Sequence, residues 1–189
     1  MASSKAWIRG ASALALVASL PVWAADPAVT FSASPSPAVV GSPVTLNVQV
    51  SDIVDLYAFQ FSVSFAPALL QATAVTEGGF LSTGGGTFFG AGTIDNVAGT
   101  ISFTFDSLLG ALPGVSGSGT LATISFNAIG AGTSPLSFSD ALFYNSALAA
   151  INVQPTNGSL LVSAIPEPAP LAMLALGLAV VGLARRRAG

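Results

Sequence analysis

The chain has 189 residues, with five Lys+Arg, eight Asp+Glu, no His and no Cys. Lys5 and Arg9 stand at the front and Arg185, Arg186 and Arg187 at the back, so the stretch 10–184 holds no base and eight acids, a formal charge of −8. This excludes nucleic-acid binding through phosphate neutralisation, a P-loop lysine, a His-activated nucleophile and metal centres built on Cys or His.

The first element reads as a secretory signal peptide. Lys5 and Arg9 form a positive region, residues 11–20 (ASALALVASL) an apolar stretch, and Pro21 ends the helix before Val22-Trp23-Ala24. Cleavage is expected after Ala24, with Ala25 the next choice. Ten apolar residues are too few to span a bilayer, which disfavours a retained anchor.

From Ala25 to Ile165 the chain predicts one all-β domain, a single β-sandwich or jelly roll of about nine short strands. Strands are expected at 29–33, 44–51, 59–65, 70–76, 87–90, 101–106, 122–127, 136–139 and 159–163. In the second, Val44, Leu46, Val48 and Val50 alternate with Thr45, Asn47, Gln49 and Ser51; Phe59, Phe61, Val63 and Phe65 alternate with polar residues in the third. Ile101, Phe103 and Phe105 are expected on a core face, with Ser102, Thr104 and Asp106 on the other; Ala122, Ile124 and Phe126 repeat the pattern. The glycine-rich stretches 78–92 and 107–119 read as surface loops. Most of the twelve Phe read as core.

The C-terminal element has three parts: Pro166-Glu167-Pro168, an apolar run over 169–184, and Arg185-Arg186-Arg187. Sixteen residues make a helix about 24 Å long, the short end for a membrane span, and the arginines keep that end cytoplasmic. The domain would then lie outside, as the signal peptide also requires. Order, spacing and position over roughly 165–189 resemble the PEP-CTERM sorting signal of Gram-negative bacteria. That resemblance implies an exosortase, a membrane-embedded cysteine protease-transpeptidase, processing the chain near Pro166-Glu167-Pro168. It also implies delivery to the cell surface or extracellular polysaccharide, with membrane contact through 169–184. The alternative is an ordinary C-terminal anchor.

The domain itself resembles a cohesin, the module that grips a dockerin in cellulosomes. The resemblance rests on Gly41-Ser42-Pro43-Val44-Thr45-Leu46, the run from Leu56 to Phe65 (LYAFQFSVSF), and Pro67-Ala68-Leu69-Leu70 followed by Val75-Thr76-Glu77-Gly78. It continues with Gly119 to Phe126 (GTLATISF), Ser134 to Asp140 (SPLSFSD) and Asn157 to Val162 (NGSLLV). It covers about residues 28–163 and implies a jelly roll related to carbohydrate-binding modules. Ala66 stands where the family often has an aspartate, and no string identifies dockerin-contacting residues.

For chemistry, the domain offers seven acids, Asp26, Asp52, Asp55, Glu77, Asp95, Asp106 and Asp140. A glycosidase needs two of them paired, but most fall at expected strand ends and turns, where they bond local backbone, and no base is present to tune one. No catalytic residue and no cofactor is assigned. Asp52 with Asp55, and Asp95 with Asn96, are weak candidates for calcium. An aromatic sugar platform is disfavoured, because Trp7 and Trp23 precede the domain and only Tyr57 and Tyr144 remain. Asn157-Gly158-Ser159 matches a glycosylation sequon and is read as a turn. The expectation is a non-catalytic module, exported and exosortase-sorted, binding a dockerin-like protein or extracellular polysaccharide. The alternatives are a matrix component without a specific ligand and, least supported, a polysaccharide-acting enzyme.

Overall fold

The computed structural model describes residues 26–165. The expected signal segment, with Ala24 and Ala25, and the tail with Pro166, Glu167, Pro168, the expected helix 169–184 and Arg185–Arg187 lie outside the described residues. Among the described residues no helix is long and apolar enough to cross a membrane.

The domain is a mainly antiparallel sandwich whose two layers share one long strand, with a two-residue strand added in parallel at one edge of each layer. The strands are β1 (Ala28–Ser34), β2 (Ala38–Val39), β3 (Pro43–Ser64), β4 (Leu70–Glu77), β5 (Thr93–Asp95), β6 (Thr100–Ser107), β7 (Val115–Ala128), β8 (Gly132–Asn145), β9 (Gln154–Pro155) and β10 (Gly158–Ser163). A short 3-10 turn, Leu81–Gly84, follows β4. The first half of β3 pairs with β1 on one side and β7 on the other, Leu46 facing both Ala33 and Ile124. Its second half pairs with β6 and β8, Phe59 facing both Asp106 and Phe143. One layer is therefore β4-β7-β3-β1-β9 and the other β5-β6-β3-β8-β10-β2.

The two inner faces meet in one core. Val44, Leu46, Val48 and Val50 from the first half of β3 and Phe59, Phe61 and Val63 from the second are all buried, with Leu70, Ile124, Phe126, Leu136, Leu160 and Val162. Phe31 of the first layer stacks on Phe138 of the second with ring centroids 4.0 Å apart, and Phe138 meets Phe61 edge-on at 5.9 Å. Such aromatic contacts add about 0.5–1.5 kcal/mol each beyond the burial of their area.

The two strands expected at 44–51 and 59–65 are one strand, turned through a corner. Asp52 and Asp55 adopt φ of 54° and 60°, a left-handed backbone that Asp tolerates better than most residues. Their N–H groups leave the ladder and donate to Ser118 Oγ at 3.0 Å and Ser116 Oγ at 2.9 Å. The bulges keep Ile53 and Leu56 buried while Val54 points out. Strands that switch layers at such bulges are the usual way to turn a sandwich corner.

Three further expectations need correction. Segment 87–90 is not a strand: only isolated bridges join Thr87 to Leu108 and Gly90 to Phe105. Residues 115–119, expected in a loop, begin β7. The stretch 78–92 is not wholly a surface loop, since Phe80 and Leu81 are buried at its start. The short strands β2, β5 and β9 carry too few residues to show a period. Ala66, the departure from the family pattern, still opens a closed turn. Its carbonyl accepts from the N–H groups of Leu69 and Leu70, and its own N–H donates to the buried Ser134 hydroxyl at 2.9 Å.

Candidate partner-binding face

The decisive departure from the sequence pattern lies in β6. Ile101 is buried and Phe103 was expected beside it, but Phe103 is 60 % exposed while Thr104 and Asp106 are fully covered. The register with β3 shifts between Phe61 and Val63, and Phe103 has φ of 60°. A strand alternates with period two, so one extra residue exchanges every later side chain between faces. Phe103 and Phe105 are thereby sent outward and Asp106 inward.

The outer face of the second layer follows from the register. Phe105, Gln60 and Leu142 face one another across β6, β3 and β8, and Ser107, Ala58 and Tyr144 form the next row. Phe103 sits beyond Phe105, its N–H donating to Ser62 Oγ at 3.2 Å. The 78–92 segment folds back beside β6 and lays Phe88 on Phe105, centroids 5.7 Å apart. Gly90 permits this approach, because a Cβ there would run into the Phe105 ring. Phe88 and Phe103 are each about three-fifths exposed and Leu142 nearly half.

Three large apolar side chains on one sheet face, with Phe105 and Tyr144 between them, form a patch rather than scattered exposure. Its polar members, Gln60 and Ser107, are neutral. Such a surface suits burial against a complementary protein face, where aromatic anchors carry most of the binding energy. The opposite layer presents a different chemistry: Thr30, Gln49, Ser51 and Ser118 line a shallow depression of about 310 Å³.

The acids weighed for calcium are engaged by protein donors. The Asp55 carboxylate accepts from Gly114 N–H at 2.7 Å and from the Ser146 hydroxyl and N–H at 2.8 and 3.3 Å. The Ser146 hydroxyl and then the Gly114 N–H hold its pKa below the ordinary value. Asp95 accepts from the N–H groups of Ala98 and Val97, which lower its pKa likewise. Asn96 bonds both backbone groups of Ala72. Asp140 is an exposed residue of β8 at φ 50°. Among the described residues no three acids gather as a metal cluster. Asn157-Gly158 begins at the link between β9 and β10, with Asn157 Oδ1 accepting from Phe138 N–H at 3.0 Å. Tyr57 donates its hydroxyl to Gly110 O at 2.6 Å and serves structure.

The fold brings Asp106 and Glu77 together. Asp106 is 1 % exposed; its Oδ1 accepts from Ser107 N–H at 2.8 Å, and its covered Oδ2 has no donor. Burial first, and the neighbouring Glu77 charge second, push its pKa up to about 7. Sequence reasoning placed Asp106 on a solvent face because the alternation gives no sign of the bulge at Phe103. The bulge also hid Phe103 and Phe105 as surface residues.

Comparison with known proteins agrees with this architecture. The sequence matches the Cohesin domain family over residues 29–162. The fold is similar to the second type II cohesin module of an adaptor scaffoldin from Acetivibrio cellulolyticus, with a TM-score of 0.63 and 17 % identity, covering 78 % of this chain and 96 % of that one. It is also similar to a non-cellulosomal cohesin from the archaeon Archaeoglobus fulgidus (TM-score 0.56, 14 % identity, 74 % and 92 % covered). A third similar structure is the sixth cohesin of an A. cellulolyticus scaffoldin in complex with a mutant Cel5 dockerin (TM-score 0.58, 17 % identity, 74 % and 100 % covered). No curated protein matches the chain. At these identities the structural likeness speaks to the fold, and the sequence match over most of the chain speaks to descent: the chain belongs to the cohesin domain family.

Proposed function

We propose that this protein is an exported, non-catalytic binding module whose outer face on β6, β3 and β8 docks a protein of the dockerin kind. The single observation that carries the reading is the neutral patch of Phe88, Phe103 and Leu142, exposed on one face of a cohesin-family domain. Residues sent outward by a bulge are conspicuous in a domain that buries most of its other phenylalanines. The bond-forming groups of Asp55 and Asp95 are engaged by backbone and hydroxyl donors, so neither is poised for acid–base work.

Export rests on the signal segment ending at Ala24 or Ala25, and sorting on Pro166-Glu167-Pro168 with Arg185, Arg186 and Arg187. On this reading an exosortase releases the domain to the cell surface or matrix after transient anchoring through 169–184. A second reading, neutral polysaccharide, is favoured by the hydroxyl- and amide-lined depression on the opposite layer.

The test is capture from the producing organism's extracellular fraction with the purified protein as bait, with and without calcium. A saturable, calcium-dependent protein partner is expected, weakened when Phe103 or Leu142 is changed to Ala. Retention of polysaccharide alone, or of nothing, would overturn the protein-docking reading.

A further inference from the structure

Asp106 is the only buried acid among the described residues, and no Lys, Arg or His exists between 10 and 184 to balance it. Of the titratable groups on the elements around it, Glu77 is the one whose charge acts on it. Tyr57 and Asp55 of β3 are bonded to Gly110 O and to Gly114 and Ser146, and Asp95 of β5 lies at the far end of β6 beside Thr100. β4 contributes the Glu77 carboxyl; β3 contributes Phe59 directly opposite Asp106; segment 78–92 and β7 contain no charged residue. Two carboxyls facing across the mouth of a sandwich, one of them buried, cannot both stay ionised without a counter-charge. The orphaned Asp106 Oδ2 is where a proton, shared with Glu77, would complete the bonding.

The pair also lies where segment 78–92 is fastened. Thr87 donates its hydroxyl to Glu77 Oε1 at 2.7 Å. The next residue, Phe88, donates its N–H to Ser107 O at 2.8 Å, and Ser107 in turn donates its N–H to Asp106 Oδ1. Gly90 and Phe105 then exchange backbone bonds at 2.8 and 3.0 Å, directly under the Phe88–Phe105 contact. Glu77 and Asp106 thus hold the two ends of one short chain of bonds that seats Phe88.

We propose that Asp106 and Glu77 form a proton-operated latch, closed while Asp106 holds a proton that its carboxyl donates to Glu77 and opened when Asp106 loses it, which fixes or frees Phe88 on the outer face. The link to partner binding rests on the docking reading above; the latch itself does not. An Asp whose folded pKa is raised binds its proton more tightly folded than unfolded. Its stabilisation is therefore fully present below the unfolded value of 3.8 and is lost as pH rises through about 7.

The test is amide exchange and thermal melting of the full chain between about pH 5 and pH 8.5, corrected for intrinsic exchange. With rising pH, the melting temperature should fall by several degrees. The Phe88 and Gly90 amides should exchange about tenfold faster relative to the Leu46 amide, with a midpoint near the Asp106 pKa. Asp106→Asn, which keeps a donor for Glu77 and cannot ionise, should flatten both curves, and Glu77→Gln should move the midpoint down. A flat wild-type profile, or an unchanged slope in Asp106→Asn, would overturn the latch. So would alkaline stability restored by calcium in the wild type and not in Asp106→Asn, since the pair would then hold a cation. A latch that titrates normally while partner affinity stays constant from about pH 5.5 to 8 would overturn the link to Phe88 docking and leave the docking face standing.

Discussion

Single residues set this domain's limits in acid and define its tightest contacts. The Asp55 and Asp95 carboxylates, held ionised by hydroxyl and backbone donors, contribute stability that is present above their unfolded pKa of 3.8 and lost as pH falls through their depressed folded values. Stability is therefore expected to decline as pH falls below about 4, and Asp55→Asn should blunt that decline while leaving the alkaline side unchanged, which thermal melting followed by circular dichroism at graded pH will register. Gly78 marks a second limit. Its N–H donates to Leu121 O at 2.9 Å, and a Cβ would overlap the Thr120 carbonyl. Gly78→Ala should cost about 1–3 kcal/mol in denaturant unfolding through forced displacement of β4 from β7. Neither constraint was legible beforehand. Gly78 looked like the first residue of a glycine-rich loop, and Asp55 like a turn acid, because their partners stand dozens of residues away in sequence.

Among the elements, β3 and β6 illustrate how far alternation can be read. Along β3 the period-two pattern of Val44 to Val50 and again of Phe59 to Val63 corresponds to buried faces in both halves. What alternation omits is that the halves belong to one strand, because the joining residues, Asp52 to Asp55, look like a turn. Truncating the core at Phe61, which is wholly buried, should cost about 3–5 kcal/mol. The same change at Phe103 should leave the melting temperature nearly unaltered and weaken partner capture by about tenfold or more. That contrast is a direct check of the β6 bulge: were Phe103 a core residue, as its place between Ile101 and Phe105 suggests, both variants would be unstable. Leu142→Lys, on β8 across β3 from Phe105, should also abolish capture without loss of fold, measured by circular dichroism beside the binding assay.

At the scale of the whole molecule, the two ends and the domain between them make separate claims. Intact mass from native cells is expected to correspond to a chain beginning near Ala25 and ending near Pro166–Pro168. Finding Arg185–Arg187 attached in the mature envelope pool would leave a plain anchor in place of exosortase processing. The sequence by itself determined the all-β class, the cohesin resemblance, the exclusion of charge-driven and His-dependent chemistry, and most of the core. The class, the exclusions and the core depend on composition and on a two-residue period, and the resemblance on short motifs in their order along the chain, all of which are carried by the sequence without the fold. Only the tertiary structure decided that one strand serves both layers, that Phe88, Phe103 and Leu142 share a surface, and that Asp106 faces Glu77 inside. Apart from Phe88, which the fold-back of segment 78–92 brings in, these depend on bulges, and a bulge is set by the partner strand: a single inserted residue costs little locally yet exchanges the inside and outside of every residue after it.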